Sequence, residues 1–174
     1  MKSFRFCKDE TVEVIDIDIV SEPKRKLGSN LLLFFTNVTR IASSILEEQK
    51  RSILDKISFH HRIKELAFDS VEGLKKLDID RIGENLKINW EMKKQLASNV
   101  TNPEIDSMHN LAMEGGALGA KISGAGGGGF LLVYCERNKQ DKLRKSMRKY
   151  RELPFLLEKF GSKIIFDQTR YDIK

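Results

Sequence analysis

Hydrophobic and polar residues alternate, then cluster, then recur at helical spacing along this chain, and each change of pattern marks an element. Phe4 and Phe6 alternate with polar neighbours, Lys8, Asp9, Glu10 and Thr11 suit a turn, and alternation resumes over 12–20. This predicts a β-hairpin. The apolar phase slips between Val14 and Ile15, a place for a bulge. The polar stretch 21–30, with Pro23 and Gly28, reads as a loop. Leu31, Leu32, Leu33, Phe34 and Phe35 then follow one another without a polar break, as in an interior strand.

From residue 39 the spacing becomes helical. Ile41, Ile45 and Leu46 belong to one predicted helix, Ile53, Ile57, Ile63, Leu66, Val71 and Leu74 to a second, and Ile82, Leu86, Trp90 and Leu96 to a third. Trp90 is read as a core residue and Lys93, one turn on, as solvated or paired. Asn102-Pro103-Glu104 supplies a cap, a proline and an acid for a fourth helix, which should stop at Gly115-Gly116. Asp106, one turn in, favours the helix dipole.

A short strand over 120–123, a glycine run, a strand over 130–135, a helix over 138–153 and a strand over 163–167 complete the chain. From residue 31 on, the order is strand, helices, strand, strand, helix, strand. That is an α+β, ferredoxin-like split βαβ plan with extra helices in its first crossover.

Composition narrows the class. The 174 residues are 40% hydrophobic and 32% charged with only 3 Pro, which disfavours disordered and low-complexity chains. No apolar run approaches the roughly 18 residues of a membrane span, and the first residues lack the apolar stretch of a secretory signal, so no membrane is expected and a cytoplasmic address is. Cys7 and Cys135 stand far apart with no CxxC pair, and His60, His61 and His109 lack metal or nucleophile partners, so no metal site or catalytic residue is expected from them. The net charge of +6 suits an anionic partner or a solvated face equally.

Gly124-Ala125-Gly126-Gly127-Gly128-Gly129 is the most unusual segment. Such a run requires positive φ or very close backbone approach. It contains the GxGxxG spacing, but a strand follows it where a dinucleotide fingerprint would open a helix, and no Lys-Ser or Lys-Thr pair follows as in a Walker A loop. The remaining readings are an anion-binding concavity of successive N–H groups, a surface for another phosphate-binding segment, or a plain glycine hairpin. The neighbouring strand lacks the basic-Gly start and flanking aromatics of an RNA-recognition sheet, which argues against nucleic acid.

The segment GALGAKISGAGGGGF over 116–130 resembles the third, C-terminal motif of the GHMP kinases, the family of galacto-, homoserine, mevalonate and phosphomevalonate kinases. LLLFFTNVTR over 31–40, NWEMKKQL over 89–96 and Ile105-Asp106 resemble its branch acting on D-glycero-D-manno-heptose 7-phosphate, with Asn37 and Ala120 where many members of that branch have Gly. The resemblance implies the C-terminal portion of an ATP-dependent sugar kinase that phosphorylates the anomeric hydroxyl of a sugar phosphate. It implies ATP and Mg2+ held mainly by a missing N-terminal half, since neither the family's Pro-x-x-x-Gly-Leu-Gly-Ser-Ser loop nor its acceptor-side acid has a counterpart here.

On this view residues 1–22 are the hairpin remnant of the N-terminal domain and 23–174 the C-terminal domain, inactive alone, whose hairpin face meets the N-terminal half or a second copy. Gly124, Ala125, Gly126, Gly127 and Gly128 become the phosphate-side wall for ATP, and Arg40, Lys121 and Ser123 the substrate contacts. Lys121 either faces phosphates or ends a strand in solvent, Ser123 either bonds substrate or caps the turn, and Arg40 either grips a sugar phosphate beside Thr36 and Thr39 or is exposed. The alternative is a non-catalytic ligand-binding or regulatory domain of the same fold.

Overall fold

The computed structural model describes residues 1–39 and 42–158. Strands β1 (Lys2–Phe6) and β2 (Val12–Asp16) form the expected hairpin as a separate two-stranded antiparallel sheet. Its turn closes through Cys7 N–H to Thr11 O at 2.9 Å and through the Asp9 carboxylate, which accepts from the Thr11 hydroxyl at 2.7 Å. There is no bulge, because the register runs unbroken from Lys2 opposite Asp16 to Phe6 opposite Val12. The phase slip instead marks a change of face. Phe4, Phe6, Val12 and Val14 are cross-strand partners on one exposed face, whereas Ile17, beyond the strand, is buried among Leu27, Leu74, Ile79 and Tyr134.

The stretch expected as a loop is helix α1 (Ser21–Asn30). Pro23 lies in its first turn, where the missing N–H has no intrahelical acceptor to lose, and Leu27 and Asn30 turn inward. Strand β3 (Leu31–Phe35) follows directly. Helices α2 (Ala42–Arg51), α3 (Ile57–Lys75), α4 (Asp80–Lys94) and α5 (Pro103–Glu114) make the crossover to strand β4 (Gly119–Ile122). Strand β5 (Phe130–Tyr134) then inserts between β3 and β4, antiparallel to both. The order β3-β5-β4 is the split βαβ arrangement.

A short 3-10 turn (Arg137–Lys139) leads into α6 (Gln140–Ser146), which ends well before the expected residue 153. The chain beyond it lies along the open edge of β3, with Phe35 N–H to Arg151 O at 2.9 Å and Leu153 N–H to Leu33 O at 2.8 Å. Two forces end the helix: the unpaired edge groups of β3 need partners, and Tyr150 packs inward and donates to Glu104 of α5 at 2.6 Å. The strand expected over 163–167 lies outside the described residues.

Between the sheet and the helices sits a core of Trp90, Val100, Ile105, Met108, Leu131 and Val133, all fully buried. Each large aliphatic side chain so buried stabilises the fold by about 1.5–3 kcal/mol. Helix α4 lies so close to β4 that a Cβ on Gly119 would overlap the Gly83 carbonyl oxygen, and one on Gly83 would come within 2.6 Å of the Tyr134 ring. That contact fixes the start of β4, the end away from the glycine run. Among the described residues no helix is long and apolar enough to cross a membrane.

Candidate functional site

The glycine run joins β4 to β5 as a loop wedged between two segments that each lead into a helix. On one side, Thr36 and Val38 precede α2: Val38 O accepts from Gly129 N–H at 2.8 Å, and the Thr36 hydroxyl donates to Gly129 O at 3.0 Å. Asn37 between them has φ 59°, a left-handed conformation that asparagine tolerates better than most residues. On the other side, Val100 O accepts from Gly127 N–H at 2.7 Å, just before the Asn102 side chain caps α5 by accepting from Ile105 N–H at 3.0 Å. The capped start of α5 thus lies beside the loop and adds the positive end of a helix dipole to its surroundings.

Positive φ recurs through the loop, at Gly124 (74°), Gly126 (113°), Gly127 (73°) and Gly129 (87°). Steric need falls on particular members. A Cβ on Gly126 would meet Val100 O at 2.9 Å and one on Gly128 would meet Val38 O at 2.5 Å, whereas Gly124 and Gly129 face open space. The close approach that the run permits is therefore to the chain's own turns. Among the described residues, Gly127 and Gly129 N–H are committed to Val100 and Val38, while the N–H groups of Gly124, Ala125, Gly126 and Gly128 have no hydrogen-bond acceptor. Successive uncommitted amides are the groups from which an anion-binding nest can be built.

The five loop residues expected to face ATP are not equivalent. Gly124 is exposed, Gly127 and Gly128 are buried beneath the turns, and the Ala125 methyl packs on the core. Ser123 is exposed, and its N–H extends the β4–β5 ladder to Phe130 O at 2.9 Å. Lys121 is half-buried and donates to Asn89 Oδ1 at 2.9 Å, with burial holding its pKa below the usual lysine range. Arg40 lies outside the described residues. Thr36, expected beside it at a sugar phosphate, is instead buried and spends its hydroxyl on the loop.

Lys93 is the residue that sequence reasoning misplaced. It is only 8% exposed, and its ammonium donates to Ile122 O at 3.1 Å and to Gly124 O, at the mouth of the glycine loop. No carboxylate pairs with it among the described residues. Burial, and then the nearby charge of Lys121, pushes its pKa down to about 8. The signal was present in the spacing: Leu86, Trp90 and Lys93 stand at i, i+4 and i+7, so the lysine falls on the buried stripe of α4.

Other candidates separate from the loop. Trp90 is fully buried, with its ring 6.0 Å from that of His109. Asp106 accepts from Thr101 Oγ1 at 2.7 Å in the first turn of α5. The Nε2 atoms of His60 and His109 are buried without a partner among the described residues, rather than satisfied or exposed. Among those residues no group of three acidic, histidine or cysteine side chains is placed to hold a metal ion. A cleft of about 680 Å³ lies at the far end of β5 beside α1, between Arg25, Lys26, Asn30 and Arg137.

Residues 70–152 match the family model described as GHMP kinases C terminal. Over 146 residues the chain is 33% identical to the D-glycero-alpha-D-manno-heptose 7-phosphate kinase of Campylobacter jejuni, covering 83% of this chain and 43% of that protein. A D-glycero-D-manno-heptose 1-phosphate kinase from Bacteroides thetaiotaomicron shares the fold at TM-score 0.63 and 20% identity, covering 89% of this chain and 41% of that one. The L. major mevalonate kinase in complex with R-mevalonate does so at TM-score 0.67 and 18% identity, covering 85% and 44%. The chain thus spans less than half the length of these relatives.

Proposed function

We propose that this chain, which belongs to the GHMP kinases through the C-terminal domain of that family, is the C-terminal part of an ATP-dependent sugar kinase. Its acceptor is D-glycero-D-manno-heptose 7-phosphate or a related sugar phosphate, phosphorylated at the anomeric hydroxyl. The observation that supports this most is the loop between β4 and β5, which presents uncommitted backbone N–H groups beside the start of α5, with Lys93 and Lys121 near it and, among the described residues, no carboxylate on either ammonium. Phosphoryl transfer needs positioning and charge neutralisation more than covalent chemistry from the protein. When bound, ATP supplies the phosphoryl group; the loop amides would hold phosphate oxygens, and Lys121 and Ser123 would approach the acceptor.

On this reading residues 1–22 belong structurally with a first domain and 23–174 form the second. Phe4, Phe6, Val12 and Val14, all exposed on one face of the hairpin, would pack against that first domain. The 174-residue chain by itself is then inactive. The test is transfer from ATP to D-glycero-D-manno-heptose 7-phosphate, followed by phosphorus NMR, with the longest reading frame containing this sequence and with the 174-residue chain in parallel. A new anomeric phosphate signal with the former and none with the latter is expected. Absence of transfer to any sugar phosphate by the longer protein would overturn the kinase reading.

A further inference from the structure

We infer that Lys93 is the positioning residue of the glycine loop: by holding the Gly124 carbonyl inward it turns the Ala125 N–H outward, toward the anion the loop receives. The inference rests on reading the loop as a phosphate-side wall. Its geometry follows from peptide planarity. No peptide bond among the described residues is cis, so the C=O of Gly124 and the N–H of Ala125 lie in one plane and point in opposite directions within it. The Lys93 ammonium, donating to Gly124 O and to Ile122 O, thus fixes the direction of a loop amide that donates to no group among the described residues. Gly124 needs such a hold. Its own backbone is at φ 74° with open space around it, so packing alone does not select its orientation.

Lys93 is suited to the task because little else competes for it. From β4, Lys121 acts on it through space. On its own helix, Glu91 and Lys94 pair with each other at 2.9 Å. On α3, Asp69 is engaged by Asn85 at 2.9 Å and by Arg81 at 3.8 Å, on α2 Glu48 is held by Ser98, and on α5 His109 stacks on Trp90. With no carboxylate to satisfy, the ammonium spends its donors on the loop. Deprotonation would weaken both bonds, since hydrogen bonds from a charged donor are about twice as strong as neutral ones.

The experiment uses the 174-residue chain, labelled with nitrogen-15, and inorganic pyrophosphate as the probe. At about pH 7 the Ala125 and Gly126 amides should respond to pyrophosphate, and the apparent affinity should fall about tenfold in K93M, which keeps the apolar stem and loses the charged donor. Without any probe, the Ala125 amide shift of the wild type should titrate with a midpoint at about 8. In K121M that midpoint should move up, because a repelling charge is gone. If K93M does not fold, the wild-type titration decides. A loop whose amides neither titrate in that range nor distinguish wild type from K93M would overturn the positioning role. Wild-type titration without any pyrophosphate response would instead count against the anion-binding reading on which the kinase proposal leans.

Discussion

Lys93 brings a charge to a place that water scarcely reaches, and this makes stability depend on pH. Its pKa falls from 10.5 to about 8 on folding. Between those values the unfolded chain keeps a proton that the folded chain has released, so the free energy of unfolding rises with pH across that window. The full rise is on the order of 3 kcal/mol. Urea unfolding of wild type and K93M at about pH 7, 8, 9 and 10 should show the difference moving in favour of wild type as pH increases; parallel trends would mean that the ammonium is not buried as described. Tyr134 offers a second residue-scale test. Its hydroxyl donates to Asp80 Oδ1 at 2.6 Å and accepts from the buried Asn30 Nδ2 at 3.0 Å. Tyr134→Phe leaves that amide unsatisfied and should cost about 1–3 kcal/mol in the same assay; a neutral change would show the pair to be dispensable. The role of Tyr134 was not legible beforehand, because a partner 104 positions away leaves no periodic trace, whereas the burial of Lys93 was written in its spacing from Leu86 and Trp90. Asn37, at φ 59°, holds a left-handed backbone that asparagine tolerates better than most residues.

At the scale of elements, local chemistry foretold what local chemistry decides. The Asn102 cap, Pro103 and the glycine stop of α5 are all in place, with Gly116 at φ 100°. Where tertiary partners decide, the pattern misled. Helix α1 was obscured by Pro23 and Gly28, and the end of α6 by an apolar stripe that continues past residue 146 but serves the edge of β3. The glycine loop shows the same division. Its density announced close approach, but the partners are Val100 and Val38, far off in sequence. Gly126→Val should therefore disturb the loop's own seat, costing about 2–4 kcal/mol through overpacking and a positive φ of 113°. Gly124→Ala, at φ 74° in open space, should cost only about 1 kcal/mol. Thermal melts of the two variants separate these mechanisms, and equal losses would contradict the packing of Gly126 on Val100.

For the whole molecule, the order of elements was enough to give the split βαβ plan, because few topologies satisfy strand, crossover helices, hairpin and helix. What order could not give is the use of the first hairpin. Its register puts Phe4 opposite Val14 and Phe6 opposite Val12, and these side chains stay between 47% and 81% exposed while Ile17 is buried. Two strands with an uncovered apolar face are marginal in water, and such a patch marks an interaction surface. In the 174-residue chain alone, that face should draw copies together, so sedimentation should show mass rising with concentration. Val14→Lys places a charge at the centre of the face without touching Ile17 or the three-stranded sheet, and should return the chain to a monomer with an unchanged melting temperature. If the wild type is already monomeric at high concentration, the hairpin does not need cover, and its proposed packing against a first domain loses its physical motive.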